Sequence, residues 1–343
     1  MKNRIKAAVA VGVVGALALA ACGGGAASEG GGSGGGSTRL SIVGFAVPKS
    51  ANDAAQAAYA KTPEGKGVTW KKSYGPSGDQ ARAVIAGLHA DYVHLSLEGD
   101  VQKLADDGIV AKDWKDGPNK GIVSRSVVVI AVRKGNPKKI KGWDDIVKGD
   151  IKIVTPNPGS SGSARWNILA AYGHVLAQGG SEADAKAYLT KFFEHVAALP
   201  GGGRDATTAF TGGTGDVLIS YENEAILARQ SGEDFDYIVP DQTLLIENPG
   251  AVTVGASAKA KGYLDFVLSK AGQTEFVKKG FRPLVEGIDE KVQGANDPSN
   301  PFPEPKDLLT IDGDFGGWKA ASAKFFDEDK GLVPAIQKAT GKS

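Results

Sequence analysis

The 343-residue sequence contains one cysteine, one methionine and four histidines. A lone thiol, Cys22, excludes any disulfide within the chain, so stability must come from an apolar core. His89, His94, His174 and His195 have no cysteine partners at zinc spacing, so no metal site and no cofactor is expected. An excess of one charge is missing too: 40 Lys and Arg face 39 Asp and Glu. Without Lys2, Arg4 and Lys6 at the start, 37 face 39, a net charge of −2. Such a balance lacks the basic face that nucleic acid requires. No strand-to-helix turn carries a G-x-S-x-G elbow, and no credible acid–base pair is visible, so no catalytic residue is assigned. A long membrane-spanning run is also lacking: the apolar stretch Ala7–Ala21 is too short for a comfortable transmembrane helix.

That stretch, behind its basic start, reads as a secretory signal over residues 1–21. It ends in Leu19-Ala20-Ala21-Cys22, which resembles a bacterial lipoprotein processing box and gives Cys22 a role as the lipidated new N-terminus. Residues 22–38 are Gly/Ser-rich and read as a flexible tether. Its random-coil span is on the order of 23 Å for about 17 residues.

The remaining chain alternates strand and helix patterns, the signature of an α/β class with mostly parallel sheets. Strands are expected at Leu40–Val43, Val68–Lys71, Tyr92–Leu97, Ser126–Val132, Ile151–Thr155, Val217–Ser220 and Thr243–Ile246. Helices are expected at Ala51–Ala60, Glu182–Val196, Glu222–Gln230, Leu264–Lys270, Thr274–Lys279 and Lys319–Phe326. The organising stretch is Ile153–Gly173: a β-branched run stops at Pro156, a Gly/Ser loop follows, and apolar residues recur at helical spacing up to Gly173, a predicted C-cap. A helix N-terminus behind such a loop presents unpaired N–H groups and a positive dipole end to an anion. The same stretch would serve equally as an ordinary strand–helix turn that binds nothing.

Three further loops share this character: Ala46–Ser50, Gly75–Gly78 and Gly201–Arg204, the last before Thr207-Thr208, a predicted helix cap. Ligands of open α/β sheets bind beyond the carboxyl ends of strands, where such loops lie. Glu222 and Glu224 are read as favouring a helix N-terminus, Arg133 and Arg165 as structural ion-pair partners of carboxylates rather than anion ligands, and Trp143, Phe192, Phe193 and Phe276 as core.

Thr155–Asn167, with its Ser-Gly-x-Ala-Arg-Trp-Asn block, resembles the periplasmic sulfate-binding proteins of ABC importers for sulfate and thiosulfate. Ser73–Gln80, Val132–Pro137, Gly215–Ala225 and Phe315–Trp318 match in order, so the resemblance covers roughly residues 40–320. It implies a two-lobed type II fold, each lobe a mostly parallel sheet flanked by helices, with the ligand in the cleft between. Lobe 1 would hold residues 39–122 plus 243–343, and lobe 2 residues 123–242.

The resemblance also implies a site. Backbone N–H donors map onto Val47, Ser77, Gly162, Ser163 and Gly203, with the Ser161 hydroxyl adding another. A tryptophan supplying its indole N–H maps onto Tyr221, whose hydroxyl sits farther out. Val47 replaces an aspartate and Ser163 a glycine. The implied protein is a monomeric, extracytoplasmic lipoprotein, anchored to the outer face of the membrane at Cys22. It would hand sulfate to a membrane permease. Thiosulfate, molybdate and phosphate are the rival ligands, and a secreted serine-dependent hydrolase on a similar scaffold is the rival class.

Overall fold

The computed structural model describes residues 37–342; the segment read as signal, Cys22 and the tether up to residue 36 lie outside the described residues. Thr38, read as the end of the tether, instead opens the first strand by pairing with Val68. Strands β1 (Thr38–Phe45), β2 (Val68–Gly75) and β3 (Tyr92–His94) alternate with helices α1 (Lys49–Tyr59), α2 (Ser77–Ile85) and α3 (Glu98–Asp106). The chain continues through β4 (Ile122–Arg133), α4 (Trp143–Ile146), β5 (Ile153–Val154), α5 (Gly162–Ala177) and α6 (Glu182–His195). Next come β6 (Val196–Ala198), α7 (Gly203–Thr211), β7 (Val217–Tyr221), α8 (Glu222–Gln230), β8 (Phe235–Ile238) and β9 (Gln242–Val252). The last stretch holds α9 (Ala258–Leu268), α10 (Lys270–Val277), β10 (Asp307–Leu309), α11 (Ile311–Phe315), α12 (Gly317–Ala321) and α13 (Leu332–Thr340).

The strands form one sheet in the order β2-β1-β3-β9-β4-β7-β5-β6, with β10 beside β9 and β8 beside β4. The trio β2-β1-β3 is parallel, as is β6-β5-β7. Each trio meets one long antiparallel strand, β9 on one side and β4 on the other. The fold is therefore two-lobed, with parallel strands at the heart of each lobe and β4 and β9 running between them. β1 and β4 are buried along most of their length, as expected of strands covered on both faces.

The two long strands exceed their sequence signals, and the reasons are local. β4 begins at Ile122 rather than Ser126, because Ser124 and Arg125 interrupt the apolar run and the register shifts there. β9 continues past Ile246 through Glu247-Asn248-Pro249-Gly250, a turn-like string. Pro249 stands opposite Ile122 at that irregularity, where a missing N–H is tolerated. Gly173 does not end its helix: α5 runs to Ala177, and Gly173 instead lies close to Leu309 and Phe315. Residues 264–279 form two helices split at Ser269, whose hydroxyl caps α10. Trp143, Phe192, Phe193 and Phe276 are core, as expected.

Candidate functional site

Five helices begin around one buried point: α1 after Pro48, α2 after Pro76, α5 after Ser161, α7 after Gly202 and α8 after Tyr221. None of these five N-termini has a side-chain cap. Ser181 caps α6, Ser269 caps α10 and Thr310 caps α11, whereas α3, α4, α9, α12 and α13 are uncapped as well. A side-chain cap would have consumed the N–H groups that α2, α5 and α7 leave open. Among the described residues, the backbone N–H groups of Val47, Ser77, Gly162, Ser163 and Gly203 find no acceptor. All these residues but Gly203 are buried, and no acidic residue stands in the first turn of α5.

The packing brings these residues together from distant segments. A Cβ on Gly203 would lie 2.8 Å from Ser163 Oγ and 3.0 Å from a Val47 methyl. A Cβ on Gly162 would lie 2.5 Å from Ser96 Oγ, so only glycine lets the α5 backbone approach so closely. The Gly78 amide donates to the Ser160 carbonyl across 3.2 Å, and Pro76 lies against Gly202. The α2 and α5 ends therefore touch, leaving between Gly78, Ser161, Gly162 and Arg165 a gap of only about 20 Å³.

Several neighbouring residues depart from what the sequence led one to expect. Glu222 and Glu224 do not merely favour a helix end: both are buried and bonded to arginines. Glu224 binds Arg204 through Nε at 2.8 Å and Nη2 at 2.5 Å, and Arg204 also donates to the Val47 carbonyl at 3.3 Å. Burial works against the Arg204 charge, but Glu224 outweighs it and raises its pKa. Glu222 binds Arg282, with Nε at 2.7 Å and Nη2 at 3.1 Å. These acids already answer the positive end of α8, so that helix offers its Tyr221 side chain rather than its dipole. Arg133 binds three backbone carbonyls, of Phe210, Thr214 and Gly215, and no carboxylate. Arg165 donates to the Pro158 carbonyl and stacks on Phe326 at 4.9 Å, again without a carboxylate. Thr207 and Thr208 lie inside α7, where their hydroxyls bond back to Gly203 and Arg204 carbonyls.

A buried carboxylate also sits closer than the sequence suggested. Asp100 accepts the Ser77 hydroxyl at 2.8 Å, and Ser77 Oγ in turn accepts the Ser96 amide at 2.9 Å. Ser77 thus keeps only its backbone N–H free. Tyr221 is buried, with its hydroxyl 2.9 Å from Ser96 Oγ; burial pushes the phenol pKa up, so it stays protonated. Ser96 and Asn248 went unnoticed in the sequence. The signal available for Ser96 was its place just beyond β3, the same rule that singled out the Ala46–Ser50 loop beyond β1. Asn248 was hidden by its turn-like neighbours. His174 lies about 20 Å along α5 from Ser161 at 1.5 Å per residue, bonded to Asp144 at 3.1 Å. No nucleophile–base pair forms between them.

The family model for bacterial extracellular solute-binding proteins matches residues 40–282. The chain belongs to this family. The solute-binding protein is 39% identical to the sulfate-binding protein of Synechococcus elongatus, covering 88% of this chain and 87% of that one. It is 38% identical to the thiosulfate-binding protein of Pseudomonas aeruginosa, covering 78% and 82%. Among solved structures, the sulfate-binding protein SubI of Mycobacterium tuberculosis matches with a TM-score of 0.79 at 40% identity, over 84% of this chain and 100% of that one. A periplasmic thiamin binding protein shares the fold at a TM-score of 0.69 and 15% identity, over 90% and 98%.

Proposed function

We propose that this solute-binding protein captures sulfate outside the cytoplasmic membrane and delivers it to the permease of an ABC importer, without catalysing a reaction. The observation that carries this reading is the convergence of unpaired N–H groups from Val47, Ser77, Gly162, Ser163 and Gly203, with the Ser161 and Tyr221 hydroxyls beside them. Affinity would come from fixed dipoles in a dry cleft rather than from counter-charge. Lobe limits of 39–122 with 243–343, and 123–242, go with this reading, since β4 starts at Ile122 and β9 at Gln242. Cys22 would carry the lipid anchor, and the protein would act as a monomer.

Sulfate carries no proton at pH 7, whereas phosphate keeps at least one that needs an acceptor. The nearby Asp100 carboxylate accepts the Ser77 hydroxyl at Oδ2 and has Lys103 Nζ 3.8 Å from Oδ1, so Ser77 and Lys103 are its partners. A phosphate proton facing donors costs about 1–3 kcal/mol or more, so sulfate should bind about two orders of magnitude more tightly. Calorimetric titration with sulfate, thiosulfate, molybdate and phosphate at pH 6 and pH 8 tests this. Phosphate binding as tightly as sulfate at both values would overturn it.

A further inference from the structure

Ser96 is fully buried and held from several directions. Its amide donates to Ser77 Oγ at 2.9 Å. Its carbonyl accepts from Trp166 Nε1 and Asn248 Nδ2, each at 3.0 Å. Its hydroxyl lies 2.9 Å from Tyr221 Oη and forms the wall that a side chain on Gly162 would strike. None of these partners is a neighbour in sequence, so the fold has placed one hydroxyl among the candidate donors of α2, α5 and α8.

The hydroxyls nearby differ in freedom. Ser77 must give its proton to Asp100, because a carboxylate only accepts. Ser160 gives its proton to the Gly201 carbonyl at 2.7 Å. Both directions are fixed. Between Ser96 and Tyr221 either oxygen can donate, since neither is bonded to a carboxylate. Whichever donates, its partner still has a proton to offer, and the donor still has a lone pair. An indole N–H at position 221, which the resemblance implies for the family, could only donate.

We propose that Ser96 is a ligand-determining residue of the cleft, and that Ser96 and Tyr221 form a reversible hydroxyl pair that meets either a bare or a protonated oxygen of a tetrahedral oxyanion. The inference rests on the oxyanion-binding reading above and extends the ligand class to singly protonated oxyanions such as hydrogen phosphate, bound more weakly than sulfate. In this pair the hydroxyl next to the ligand turns to suit it, so selectivity against a protonated ligand is softer than a donor-only site would give.

The test is titration of the purified full chain with sulfate and with inorganic phosphate at pH 7. The variants are Ser96→Ala, Tyr221→Phe, the double variant and Tyr221→Trp, each checked for an unchanged melting temperature. Ser96→Ala and Tyr221→Phe should each weaken sulfate binding about 10-fold, and the double variant should be little worse than either, because the two hydroxyls act as one unit. Tyr221→Trp should raise the sulfate-to-phosphate affinity ratio by about 10-fold, a change that loss of packing alone would not produce. Tyr221→Phe keeps the ring against Phe45, so it reports even if Ser96→Ala folds poorly. Sulfate binding indifferent to Ser96→Ala and Tyr221→Phe, or effects that simply multiply, overturns the pair. Absence of sulfate binding by the unmodified protein overturns the reading itself, and the pair with it.

Discussion

The indole of Trp166 donates to the carbonyl oxygen of Ser96 across 3.0 Å, tying α5 to the loop that follows β3. Both ends of this bond are buried, and the indole also meets Trp318 edge-on, with ring centroids 4.7 Å apart. The Ser96 carbonyl keeps a second donor in Asn248, so losing the indole leaves no orphaned oxygen. Trp166→Phe should therefore weaken ligand binding modestly, about 5-fold for one neutral hydrogen bond. Titration of the variant decides it, and an unchanged affinity would mean that this tie does not help position the Ser96 loop for the ligand.

The loop that opens α5 separates a steric role from a hydrogen-bonding one. Ser161→Ala should cost about 1–2 kcal/mol of binding, the worth of one charge-assisted hydrogen bond. Gly162→Val should cost more, because its Cβ would collide with Ser96 and hold the helix end away. Negligible losses from both, measured by the same titration, would place the ligand elsewhere.

His94 sets an acid limit to folding. Its imidazole lies between Asn52 Oδ1 at 3.1 Å and Ser124 Oγ at 3.0 Å, and burial pushes its pKa down to about 3. The unfolded histidine takes up a proton near pH 6.5, so below that value the unfolded state gains and stability falls. The slope should approach about 1.4 kcal/mol per pH unit until the folded pKa is reached. Glu222 works in the opposite sense between about 6 and 4.5, because burial pushes its carboxyl up to about 6 against the pull of Arg282. The His94 contribution is therefore read as the difference between wild type and His94→Gln in urea unfolding at pH 7, 6 and 5. Parallel pH profiles for the two proteins would refute it.

The Arg282–Glu222 pair should be costly to break from one side. Arg282→Met leaves a fully buried carboxylate without its cation, a loss of about 3–5 kcal/mol of folding stability. Urea unfolding at pH 8 measures it directly; a loss below about 1 kcal/mol would show that Glu222 is protonated or re-partnered in the variant.

Anchoring is tested at Cys22, which lies outside the described residues. On the proposed reading, Cys22→Ala should move the protein from the membrane fraction to a soluble or unprocessed form, because stable retention would need acyl chains on that residue. Wild-type protein found wholly in the soluble fraction would remove the anchor from the account.

Much of the architecture was legible because strands such as β1, β4 and β7 are apolar and many helices begin after a glycine, serine or proline. The loops before α2, α5 and α7 announced themselves by composition. What stayed hidden lay where local chemistry and tertiary role disagree. Asn248-Pro249-Gly250 has the residues of a turn yet runs as strand, because the long antiparallel pairing outweighs local preference. Ser96 sits in an unremarkable strand-like run, and its surroundings come entirely from partners 19 to 152 residues away. Glu222 and Glu224 look like helix-start acids, and only the fold brings Arg282 and Arg204 to them.

The two long strands also bear on how the molecule comes apart. β4 pairs with β9 through Ser124–Val127 and with β7 through Val128–Val132, while β9 pairs with β3 beyond its contact with β4. Neither lobe can lose its sheet without stripping hydrogen bonds from a strand that the other also uses. Heating should thus give one calorimetric transition, with the van't Hoff enthalpy equal to the measured one, rather than two successive meltings.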